Sequence, residues 1–234
     1  MTDDDGQGTL YGIGVGSGDP ELLTLKGLRI IARVPVIAYI APAGGDSLAR
    51  AIVAGHLPGG QTEIAIPIAM GEEARESYDR SGREIAGHLE AGRDVAMLCE
   101  GDPFFYGSFT YLHARLAGSH RVRVVPGVSS LGAAAAAAGM ALASREQALT
   151  VVPAILPEDA LRARLGTGDA AAIVKVGRHL DKVRRVLGQT GRQRGALYVE
   201  RATMEAERVA PLEEVEAAPY FSMILVPERG DGPP

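Results

Sequence analysis

The sequence predicts an α/β fold made of two α/β domains, residues 1–126 and 127–234, the first built on a mostly parallel sheet. Three observations lead there. Short apolar runs alternate with helical stretches through about residue 126, which is how βαβ units read. The runs are apolar along nearly their whole length, as strands covered by helices on both faces are. Pro126-Gly127 then breaks the alternation, and a second set of strand-like and helical segments begins.

In the first half, Leu10 to Val15, Val34 to Ile40, Thr62 to Pro67, Asp94 to Cys99 and Arg121 to Val125 read as strands. Pro20 to Arg33 sets Leu22, Leu23, Leu25, Leu28, Ile30 and Ile31 on one broad helical face, Glu72 to Ala91 reads as a polar covering helix, and Phe104 to Leu116 as a third. Beyond the break come a helix over Ser129 to Met140, strands at Ala148 to Val152, Ala170 to Val176, Ala196 to Glu200 and Phe221 to Val226, and helical spacing at Pro157 to Leu165 and Leu180 to Leu187. Thr2 to Gly8 and Glu228 to Pro234 are rich in Gly, Pro and charge and read as mobile ends.

Composition narrows the function. With 234 residues and 46% hydrophobic content the chain can bury a sizeable core. Its longest apolar stretch, Leu131 to Ala143, is too short to span a bilayer, and the acidic Thr2-Asp3-Asp4-Asp5 lacks the basic region of a secretion signal, so a cytoplasmic location is expected. Cys99 is the only cysteine and falls in an apolar strand, which suits a structural thiol. A net charge of −5 argues against a general nucleic-acid binder. Between Arg145 and Thr203, however, eleven Lys/Arg stand against six Asp/Glu, so the second half could meet an anionic substrate.

One turn occurs twice. Gly16-Ser17-Gly18-Asp19-Pro20 and Glu100-Gly101-Asp102-Pro103 each follow a strand and end in Gly-Asp-Pro. An Asp at the N-cap accepts from the first helical N–H groups, and Pro at the first helical position has no N–H to leave unpaired. Two such turns at the ends of neighbouring strands would frame a crevice, where open α/β sheets bind ligands. The glycines at 12, 14, 16 and 18 fit neither the dinucleotide fingerprint nor a P-loop, because Gly-Asp-Pro stands where the P-loop has Gly-Lys-Ser/Thr. The loop is therefore expected to bind something other than a phosphate. His56, His88, His113, His120 and His179 are scattered, so no tight metal site is expected, and Ser129-Ser130 does not sit in a nucleophile elbow.

Leu10 to Thr24, Gly101 to Gly107 and Pro126 to Ser130, in that order along the chain, resemble the tetrapyrrole (corrin/porphyrin) methyltransferases of cobalamin and sirohaem synthesis. Tyr106 to Leu112, Glu200 to Met204 and Pro219 to Val226 are most similar to the branch that methylates precorrin-2 at C-20. One departure is Ser17, where the family commonly has Pro. The resemblance implies a homodimer of two α/β domains, the second with a mixed sheet, holding S-adenosylmethionine between the domains and the tetrapyrrole in a trough alongside, with S-adenosylhomocysteine as product. It further implies cofactor contacts at Glu100, Gly101, Asp102, Ser129, Ser130, Val176 and Ala202, and a substrate-side loop that includes Gly14, Gly16, Ser17, Gly18 and Pro20. Asp19 and Tyr106 are candidates for a catalytic base, and Arg178, Arg184 and Arg185 for the substrate's carboxylates. Two alternatives stay open: the cobalt-containing substrate of the anaerobic pathway, cobalt-factor II, and a non-catalytic protein that binds a nucleoside or tetrapyrrole.

Overall fold

The computed structural model describes residues 6–42, 45–67 and 72–228; of the two ends expected to be mobile, residues 2–5 and 229–234 lie outside the described residues. The chain divides into two compact units, Met1–Ser129 and Ser130–Pro234.

Unit 1 carries five parallel strands, β1 (Thr9–Gly14), β2 (Val36–Ala41), β3 (Thr62–Pro67), β4 (Val95–Cys99) and β5 (Arg121–Val125), in the order β3-β2-β4-β1-β5. Helices α1 (Leu25–Ile31) and α2 (Leu48–Ile52) cover one face, and α3 (Glu72–Glu90) and α4 (Phe109–Leu116) the other. Alternate residues of one strand feed opposite cores. Val95, Met97 and Cys99 join Ile85, Leu89, Phe109 and Leu112, while Ala96 and Leu98 join Ile30, Ile31, Ala49 and Ile52. That double burial is why the strands read as unbroken apolar runs.

Two expected helices begin later than the sequence suggests. Over Pro20 to Arg33 the chain makes a 3-10 turn at Pro20–Leu22, extends at Leu23, and restarts as α1 when Thr24 accepts the Gly27 N–H at 3.1 Å. Phe104 to Leu116 becomes helical only at Phe109, because Tyr106 adopts φ 56°, a left-handed conformation that no right-handed helix can contain.

Unit 2 comprises α5 (Ser130–Ala138), β6 (Leu149–Pro153), α6 (Glu158–Leu165), β7 (Ala170–Val174), α7 (Leu180–Gln189), β8 (Leu197–Glu200), β9 (Arg208–Pro211) and β10 (Ser222–Val226). Its sheet order is β6-β7-β10-β8-β9, with β6 and β7 parallel and the other pairs antiparallel, the mixed sheet that the resemblance implied. Leu180, Val183, Val186 and Leu187 recur at helical spacing along α7 and bury with Leu161 and Leu165 of α6 on one face. Ala134 of α5 packs on the other face with Val174, Val199, Met223 and Leu225.

Within unit 2, Arg192 is a buried clamp, 4% exposed. Its guanidinium donates to Leu165 O at 2.9 Å, to Pro227 O at 2.8 Å and to Asp169 O, so one side chain ties the end of α6, the approach to β7 and the exit of β10. Hydrogen bonds from a charged donor contribute about 1.5–3 kcal/mol each, though losses at one site do not add fully. Arg192→Met is expected to keep much of the stem packing and lower stability by about 2–4 kcal/mol in urea unfolding.

Candidate functional site

At the carboxyl end of the unit 1 sheet the chain leaves β1 for α1 on one face and β4 for α4 on the other. These adjacent strands form a topological switch point, where open α/β sheets bind ligands. Both Gly-Asp-Pro turns stand there and touch through backbone. Val15 N–H donates to Cys99 O at 2.9 Å, and Gly101 N–H to Gly16 O at 2.7 Å. The turn after β5 joins them: a Cβ on Gly14 would stand 2.5 Å from Gly101 O and Gly127 N, and one on Gly127 only 2.1 Å from Gly101 O. No side chain fits at either position.

The acids at these turns do different work. Asp19 Oδ1 accepts the Glu21 N–H at 2.8 Å and caps the 3-10 turn that Pro20 opens. Asp102 caps no helix. Its Oδ1 accepts the Phe104 N–H at 2.9 Å, and its Oδ2 reaches back to the Gly127 N–H at 3.1 Å, pinning the second turn to the third. Glu100 is exposed at the surface, yet protein packed around its carboxyl pushes the pKa up, against backbone hydrogen bonds from its own residue and from Ala49 that pull it down. Behind it lies a cavity of ≈ 20 Å³ lined by Ile40, Met97, Leu98, Cys99, Gly107 and Ser108. It has room for about one water, whereas small-molecule sites occupy roughly 300–1,000 Å³.

In unit 2, β10 runs antiparallel to both β7 and β8, with Ser222 opposite Glu200, so the carboxyl ends of β7 and β8 lie at one end of the sheet with Tyr220 and Phe221 between them. Backbone strain concentrates there. Lys175 (φ 57°), Arg201 (φ 48°) and Thr203 (φ 67°) all adopt the left-handed region, each at a cost of about 1–3 kcal/mol that surrounding contacts must offset. Val176 and Ala202 sit in these two turns. Glu200, 9% exposed, accepts the Tyr198 hydroxyl at 2.8 Å and pairs with the Arg201 guanidinium. Burial first, and Glu200 second, push the Tyr198 phenol pKa up. Thr203 N–H donates to Glu207 Oε2 at 2.6 Å.

Residues 9–216 match the family model of the Tetrapyrrole (Corrin/Porphyrin) Methylases. The chain belongs to this family. It is 41% identical to a precorrin-2 C(20)-methyltransferase of Sinorhizobium, over 97% of this chain and 98% of that one. To a cobalt-precorrin-2 C(20)-methyltransferase of Salmonella typhimurium it is 34% identical, over 94% and 96% of the two chains. A uroporphyrin-III C-methyltransferase of Thermus thermophilus, solved with S-adenosylhomocysteine, superposes with a TM-score of 0.71 at 26% identity, covering 94% of this chain and 98% of that one.

Of the residues the sequence singles out in this methylase, Gly14, Gly16, Ser17, Gly18, Asp19, Pro20, Glu100, Gly101, Asp102 and Tyr106 come together at the unit 1 switch point, and Ser129 follows the Gly127 turn. Val176 and Ala202 come together at one end of the unit 2 sheet, while Ser130 opens α5. The three arginines divide. Arg184 donates to Leu212 O at 3.1 Å and Glu213 O at 2.9 Å, and Arg185 pairs with Glu158 at 3.1 Å, so both have structural partners, whereas Arg178 is exposed beside Gly177. The reading of Asp102 as a helix cap is corrected, because its second oxygen serves the Gly127 turn and no helix starts at Pro103. Glu200 lies in a segment that carries the resemblance, but its part in holding the strained loop after β8, and that of Glu207, escaped the sequence reading; nothing in Glu-Arg-Ala-Thr-Met signals left-handed backbone. Among the described residues no group of three His, Cys, Asp or Glu side chains could hold a metal ion.

Two outcomes are expected of the methylase fold. Asp102→Asn keeps one acceptor oxygen for two N–H groups, so it should lower stability by about 1–3 kcal/mol in chemical denaturation, where a simple cap would tolerate the change. Glu100 concerns pH. Its folded-state pKa lies above the ordinary value of 4.5, so the stability it contributes is fully present below pH 4.5 and is lost as the pH rises through the folded value. Glu100→Gln stays neutral, so its melting temperature should exceed the parent's at pH 7.5, and the gap should close near pH 4.

Proposed function

We propose that this chain is an S-adenosylmethionine-dependent methyltransferase that methylates precorrin-2 at C-20, giving precorrin-3A in cobalamin biosynthesis. The observation that carries the reading is the end-to-end 41% identity with the Sinorhizobium precorrin-2 C(20)-methyltransferase. The Salmonella relative, at 34%, supports a second reading in which the same carbon is methylated on the cobalt-containing ring.

The residues present suit the methyl donor. It carries no phosphate, and neither strained turn of unit 2 nor either Gly-Asp-Pro turn of unit 1 has a P-loop lysine arrangement. What these turns offer is backbone N–H and C=O groups beside small residues, Gly101 and Ala202, which suits recognition of a nucleoside and an amino-acid moiety. We assign Glu100, Gly101, Asp102, Ser129, Ser130, Val176 and Ala202 to that role, and Gly14, Gly16, Ser17, Gly18 and Pro20 to the tetrapyrrole side. S-adenosylmethionine supplies a methyl group already activated by its sulfonium. The protein's task is then to align that methyl with the nucleophilic bridge carbon and exclude water, which in favourable cases lowers a barrier by roughly 7–11 kcal/mol. As the bond from C-20 to the methyl carbon forms, the bond from that methyl to sulfur breaks and S-adenosylhomocysteine leaves. C-20 then gives up its one proton, which the Asp19 carboxylate is proposed to receive, either directly or through the Tyr106 hydroxyl, which accepts it while passing its own proton on. Arg178 is the proposed partner for a substrate carboxylate, while Arg184 and Arg185 would first have to leave their present partners.

A homodimer belongs to the same reading and rests on the family resemblance, and a cytoplasmic location is proposed with it. None of the described helices is long and apolar enough to cross a membrane. Light scattering during gel filtration should give twice the chain mass.

The deciding experiment supplies precorrin-2 and cobalt-factor II in parallel with carbon-labelled S-adenosylmethionine. We expect one new methyl, at C-20 by NMR, formed faster on the metal-free ring. A label on a pyrrole-ring carbon would reject the regiochemistry, and no transfer to either ring would reject the enzyme. Calorimetry should show S-adenosylhomocysteine binding and none of comparable strength for NAD or ATP.

A further inference from the structure

The loop between β8 and β9 presents a physical problem that its own sequence does not solve. Arg201 and Thr203 both hold left-handed backbone, and neither is a glycine. Such conformations persist only where surrounding contacts over-determine them. Arg201 N–H donates to Phe221 O at 2.9 Å, Met204 N–H to Arg201 O at 2.9 Å, and Thr203 N–H to Glu207 Oε2 at 2.6 Å. The remaining grip is on a side chain. The Arg201 guanidinium pairs with Glu200, whose other oxygen is held by the fully buried Tyr198 hydroxyl at 2.8 Å. Glu200 is the last residue of β8, paired with Ser222 of β10 on one side and Arg208 of β9 on the other, so the ladders fix its backbone while its carboxylate grips the loop. A carboxylate is the group suited to this place, because it accepts from a phenol and a guanidinium at once.

Between the two left-handed residues lies Ala202, whose methyl packs against the core while its backbone stays in the turn. We propose that Glu200 is a positioning residue for the methyl donor: by holding Arg201 in its left-handed conformation it fixes the Ala202 backbone in the orientation that meets S-adenosylmethionine. The inference rests on the assignment of Ala202 to the donor site. It adds a residue, Glu200, that reaches the donor only through Arg201. A glutamine at 200 keeps the shape but carries no charge, so the ion pair that grips Arg201 is reduced to a neutral hydrogen bond while β8 stays paired.

Three variants of the full chain test this: Glu200→Gln, Arg201→Gly and Ala202→Val. Glycine at 201 accepts the same φ without strain, so Arg201→Gly removes the grip while leaving the conformation accessible. In the ligand-free protein, amide exchange at Thr203 and Met204 should quicken at least tenfold in Glu200→Gln and Arg201→Gly, with exchange in β8 and β10 unchanged. Calorimetry should show S-adenosylhomocysteine bound at least tenfold more weakly by both, and the double variant no weaker than Arg201→Gly alone. In turnover, KM for S-adenosylmethionine should rise with kcat and the tetrapyrrole KM near the parent's. A merely structural role would lower the melting temperature and the active fraction, and so kcat, without that split. Parental exchange and parental binding in Glu200→Gln would overturn the proposal. Ala202→Val separates the two layers: weakened binding there with parental binding in Glu200→Gln rejects the positioning role alone, whereas parental binding in Ala202→Val rejects the donor contact and the positioning role with it.

Discussion

The carbonyl oxygen of Gly101 sets the tolerance of the whole carboxyl end of unit 1. Three turns, after β1, β4 and β5, converge on it, and at Gly14 and Gly127 the approach is too close for even one added carbon. Because backbone meets backbone, the turns cannot shift independently. Asp102 reinforces the closure by placing one carboxylate oxygen on its own turn and the other on the Gly127 turn. Gly14 and Gly127 thus owe their identity to chain-on-chain contact, and a ligand would meet only the outward side of these turns. A substrate there would face carbonyl and amide groups whose directions are set by three strands at once, an arrangement with little freedom to reorganise during reaction.

Unit 2 meets a related demand by different means. Its turns at 175–177 and 201–203 bend the chain sharply at the ends of β7 and β8, yet the left-handed positions are Lys175, Arg201 and Thr203, with glycine only at 177. Where unit 1 relies on the absence of a side chain, the loop after β8 relies on two carboxylates, Glu200 and Glu207, that grip it from either end. The price is a buried acid and strained backbone; the return is a turn whose shape depends on a specific pairing.

How much of this could be read from residues alone follows from the same physics. The strands of unit 1 lie within about two residues of their expected limits, since burial on both faces writes itself as a continuous apolar run. Helix starts were harder. Asp102-Pro103 has the same letters as Asp19-Pro20, but the long-range contact with Gly127 and the left-handed Tyr106 decide its conformation, and neither is local in sequence. The short α2, capped by Ser47 through the Arg50 N–H, is too brief to show a period, and β9 buries only Ala210 and so shows no alternation. Of the candidate site, the two Gly-Asp-Pro turns and the Pro-Gly-Val-Ser-Ser segment were visible because motif and strand end coincide. Glu200 was not, because its carboxylate looks like any other charge until the Tyr198 and Arg201 side chains are seen to converge on it.

The place of β10 bears on how the protein is made. In unit 1 the last strand to be synthesised, β5, adds to the rim of a sheet whose other four members are already neighbours. In unit 2 the last strand, β10, inserts between β7 and β8, which do not pair with each other. On the ribosome, unit 1 can therefore assemble as soon as Val125 has emerged, while β6-β7 and β8-β9 wait as two separate half-sheets, each with an open apolar margin, until residues 222–226 arrive. That interval is when the nascent chain is most exposed to mispairing and to chaperones. A late stop codon or a stall before residue 222 would yield a protein with its first unit sound and its second without a centre.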